Sequence, residues 1–148
     1  MKKVILFLLG LTPLVLGFLM NSWMMKNQNS VLPFKLIGII FLLFWVMVGF
    51  MTCKFERTPL KSAIIANLPA FSMLLFILFQ EIILGRYWIS MFGIATQFYY
   101  LALVNISSSI VGFLGFGIYF SVISLISFLF MFGSYYLGSY FKNQKGTY

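Results

Sequence analysis

Residues 61–86 read K-S-A-I-I-A-N-L-P-A-F-S-M-L-L-F-I-L-F-Q-E-I-I-L-G-R. The twenty residue steps from Lys61 to Glu81 rise about 30 Å as α-helix, the thickness of a bilayer's hydrocarbon core. Lys61 and Glu81 are therefore expected near opposite membrane surfaces. Ala63, Asn67, Ala70, Leu74, Glu81 and Gly85 recur close to whole helical turns, so they share one face. Small and polar side chains along one stripe suit a helix–helix contact and are poorly matched to lipid. Pro69 removes a rung of the backbone ladder two residues after Asn67, which predicts a kink there. The stretch is expected to face the inside of a helix bundle.

The chain around it has the same character. Of 148 residues, 62% are hydrophobic and 8% charged, where a soluble domain carries roughly 25% charged residues. In a bilayer the backbone must satisfy its own hydrogen bonds, which leaves helices or a closed barrel. Continuous apolar runs, without alternation, select helices. The expected fold class is all-α integral membrane, one polytopic domain with spans at about 4–20, 36–53, 62–85 and 110–133.

The runs follow one another in order. Lys2 and Lys3 precede the first, which resembles a signal peptide in its basic start but is long and has no A-x-A-like cleavage site. It is expected to be retained as a span, with Pro13 and Gly17 either kinking it or letting a neighbour approach closely. Pro33 and Pro59 stand where helices begin, since a first-turn N–H has no partner to lose. The second run lies between Lys35 and Lys54. Arg86, Tyr87 and Trp88 close the third with a basic group beside two amphipathic rings. Residues 87–108 are apolar but dotted with Thr96, Gln97, Tyr99, Tyr100 and Asn105. They fit either an interfacial or re-entrant segment, or a weak fifth span. The tyrosines after residue 133, with Phe141, read as an interfacial belt leading to Lys142 and Lys145.

Charge separates these readings. With four spans, Lys2, Lys3, Lys54, Arg57, Lys61, Lys142 and Lys145 share one side and Lys26, Lys35 and Arg86 the other, seven against three. A fifth crossing would make it five against five. The positive-inside rule favours four, with both termini cytoplasmic in a cell membrane and 87–105 not crossing. The net charge of +8 is thus spread over span ends, without the patch a nucleic acid would need.

Two glutamates, no aspartate, no histidine and one cysteine, Cys53, provide neither a carboxylate pair nor a nucleophile–base pair nor a metal cluster. No enzyme activity and no cofactor is expected. The G-F-L-G-F-G of residues 112–117 lies in an apolar run, without the strand–turn–helix context of a phosphate loop. The candidate polar sites are Asn67, Gln80 and Glu81, with Lys35 or Arg86 as cationic partners for Glu81. Gly117, Ser121 and Ser124 form a small-residue packing stripe on the last span. The expected function is an accessory, regulatory or immunity-type subunit, working through helix contacts with a membrane-protein partner or as a homo-oligomer in the lipid bilayer. The alternative is a small oligomeric transporter with Asn67, Gln80 and Glu81 near its path.

Overall fold

The computed structural model describes residues 2–29, 31–56, 58–115 and 119–145, apart from the side chains of Phe92 and Lys145. Arg57 and Gly117, both counted in the sequence reading, lie outside the described residues. Among the described residues the regular structure is entirely helical. Three helices, Lys2–Lys26, Phe34–Phe55 and Phe120–Gln144, are long and apolar enough to cross a membrane. The number rises to five if each of two bent pairs counts as one span. Several apolar helices of this length mark a membrane-embedded protein.

The first long helix is itself broken, into α1 (Lys2–Leu9) and α2 (Thr12–Lys26). Pro13 has no N–H for the Leu9 carbonyl, and the Thr12 hydroxyl donates to that oxygen at 2.6 Å instead. The Leu14 N–H turns to Leu11 O at 3.0 Å, so the Gly10 carbonyl loses its helical donor. Helix α3 (Phe34–Thr52) starts directly after Pro33 and ends in a tight turn, Cys53–Phe55. The Thr58 hydroxyl caps α4 (Pro59–Ala66) by accepting the Lys61 N–H at 3.3 Å.

The expected kink near Pro69 is present as a 50° bend at Asn67, between α4 and α5 (Leu68–Leu78). Helix α5 continues into one π-helical turn, Phe79–Ile83, and Gly85, at φ +61°, ends the element. Gly85 is exposed, so it terminates the helix and takes no part in its packing face. Then come α6 (Met91–Tyr99) and α7 (Leu101–Phe113), bent by 67° at Tyr100, and finally α8 (Phe120–Lys145).

Contacts fix the helix directions. Against α4–α5, α8 runs antiparallel: Ser121 meets Glu81, Phe128 meets Phe71 and Tyr135 meets Ser62. Helix α3 runs alongside α8, backbone to backbone. A Cβ at Gly49 would lie 2.2 Å from Tyr135 O, and one at Gly138 2.0 Å from Val46 O. Lys3 reaches Glu56 at 4.0 Å, and Lys142 sits over the Phe50 ring at 4.5 Å. The start of α1 and the end of α8 thus lie at one end of the bundle, the Glu56 end. The opposite, Glu81 end holds the start of α8 and the chain entering α6.

Two expectations change and a third is narrowed. The apolar run taken as a span over 110–133 is divided: α7 ends at Phe113, Gly115 turns at φ +70°, and α8 begins at Phe120. Both sides of the turn are apolar, so hydropathy does not register the break. Of residues 87–108, those up to Met91 are exposed, whereas α6 and α7 form a bent pair that fits a broken span or a re-entrant loop and buries Tyr99 and Tyr100, each only 1% exposed. The belt after residue 133 is a continuation of α8, and Tyr135 is fully buried within it.

Candidate functional site

Buried polar groups form three layers along the bundle. At the Glu56 end, the Tyr135 hydroxyl joins Thr52 Oγ1 and, at 2.8 Å, Ser62 Oγ. One helical turn further, Ser139 donates to Gly49 O at 3.0 Å. This cluster ties α3, α4 and α8 together where their backbones come closest.

The middle layer is where the helix breaks meet. A Cβ at Gly10 would lie 2.3 Å from Ala66 O and 2.9 Å from Pro69 Cγ, so the first break rests on the second. The Tyr99 hydroxyl donates to Gly10 O, the carbonyl freed upstream of Pro13. Tyr100, at the third break, donates to Ala70 O at 2.6 Å. Asn67 is buried, as expected for an intramembrane residue. Its Oδ1 accepts from Trp45 Nε1 at 3.3 Å and its Nδ2 donates to Ala63 O at 2.9 Å. The proline-kinked backbone and the side chains around it satisfy one another.

The Glu81 end carries the remaining candidates. Gln80, 1% exposed, takes the buried position; Glu81, which the regular spacing placed there, is half-buried. Gln80 Oε1 accepts the Trp88 N–H at 2.9 Å, and its Nε2 makes a long bond of 3.4 Å to Thr96 Oγ1. Glu81 Oε2 accepts the Tyr87 hydroxyl at 2.6 Å and the Ser121 N–H at 2.7 Å. Lys35 and Arg86 are not its partners: among the described residues the ion pair is Lys3 with Glu56. Burial first, then the hydrogen bond and charge of Glu81, push the Tyr87 hydroxyl above its usual range, so it remains a donor.

The serine stripe on α8 is buried at Ser121, Ser124 and Ser127. Ser127 bonds Ser107 of α7 at 2.8 Å, whereas Ser124 Oγ is buried with no partner among the described residues. Among the described residues no three His, Cys, Asp or Glu side chains come together as a metal site.

Sequence reasoning missed Trp45, Thr52, Ser62, Tyr99, Tyr100, Ser107 and Tyr135. The signal for Tyr99 was present in the Gly10–Pro13 spacing, which frees a carbonyl that must find a donor. No protein-family model, curated protein or solved structure matches this chain.

Proposed function

We propose that the protein is a non-enzymatic accessory, regulatory or immunity-type membrane subunit, held to membrane-protein partners or to its own copies by helix–helix contacts. One observation carries this reading: Asn67, Gln80 and Glu81 all bond inward, to other groups of the same chain. A transport path needs polar groups that can turn to a substrate, and these three are committed to architecture. Meanwhile α3 presents Leu36, Ile39, Ile40, Leu43, Met47 and Met51, all exposed, as a continuous apolar face.

The layout supports four crossings. The start of α1 and the end of α8 lie at the Glu56 end, together with Lys54, Lys61 and Lys142, whereas Lys26, Lys35 and Arg86 sit toward the other. That placement supports an even number of crossings, with α6–α7 as a re-entrant wedge entering from the Glu81 end. By the positive-inside rule the Glu56 end is cytoplasmic. Purification of the tagged protein from its own membrane in mild detergent tests the reading. It predicts one membrane protein, or a second copy, in fixed stoichiometry. A monomer free of partners that restores solute flux in vesicles would overturn it.

A transporter remains the second reading, favoured by the meeting of three helix breaks at Gly10, Asn67 and Tyr100. Broken helices near mid-membrane are how many transporters build their sites. In vesicle flux assays this reading requires transport by the purified protein alone.

A further inference from the structure

We draw no further inference here: the strongest candidate, the hollow of about 320 Å³ between α2 and the exposed face of α3, lined by Thr12, Leu16, Ile37, Ile40, Phe41 and Phe44, has apolar walls, and nothing in the structure shows what covers it.

Discussion

Glu81 Oε2 lies 2.7 Å from the backbone nitrogen of Ser121, forty residues along the chain. This acidic side chain therefore caps the first turn of α8, where the unpaired N–H groups and the helix dipole both favour an anion. The Tyr87 hydroxyl holds the same oxygen at 2.6 Å.

Glu81→Gln keeps an acceptor and gives up only the charge, an expected cost of about 0.3–1 kcal/mol. Glu81→Leu removes the acceptor and leaves the Ser121 N–H unpaired, an expected cost of about 1–3 kcal/mol. Thermal unfolding in detergent ranks the two; a Gln variant less stable than the Leu variant contradicts the capping role.

Tyr99 and Tyr100 differ in what their hydroxyls satisfy. Gly10 O has lost its helical donor, whereas Ala70 O still belongs to the α5 ladder. Tyr99→Phe should therefore cost about 1–3 kcal/mol and Tyr100→Phe about 0.5–1.5 kcal/mol. Equal unfolding temperatures for the two variants would remove the freed-carbonyl argument.

Glycines at backbone contacts are the next test. Gly10→Ala places a methyl 2.3 Å from Ala66 O, and overpacking of this kind costs about 1–3 kcal/mol. Gly133→Ala meets nothing within 4 Å and should be neutral or stabilising by about 0.4–1 kcal/mol. Unfolding midpoints that fall equally for both would show that the break in the first helix does not rest on the second.

Much of this arrangement was legible in the chain. The apolar runs gave the class, Pro69 gave the bend at Asn67, and Pro33 and Pro59 gave helix starts. The buried Ala63, Asn67, Ala70 and Leu74 followed from turn spacing. Beyond Leu74 the spacing fails: where the helix passes into the π-helical turn at Phe79–Ile83, Gln80 finds its partners in Trp88 and Thr96 and takes the place assigned to Glu81. The turn after Phe113 is hidden because both flanks are apolar. Tyr99, Tyr100 and Tyr135 misled because tyrosine serves equally at a membrane surface and, given an acceptor, in a core. The bond from Glu81 to Ser121 joins positions forty residues apart, and no local pattern reports it.

Sidedness can be read with single cysteines in a Cys53→Ser background and a membrane-impermeant maleimide on intact cells. Ile89→Cys and Tyr119→Cys should label from outside, and Lys61→Cys and Gln144→Cys only after permeabilisation. Labelling of Ile89 and Tyr119 from opposite sides would mean that α6–α7 crosses the bilayer.

The central claim is that the polar groups inside the bundle serve architecture and that function is exerted through partners. Glu81→Gln tests it most directly, with partner co-purification and cell phenotype measured side by side. The account predicts near-normal values for both, since the Gln side chain still accepts from Tyr87 and Ser121. A folded variant that keeps its partner but loses all function would contradict it, because only a carboxylate that changes charge or binds a cation during a transport cycle fails in that way.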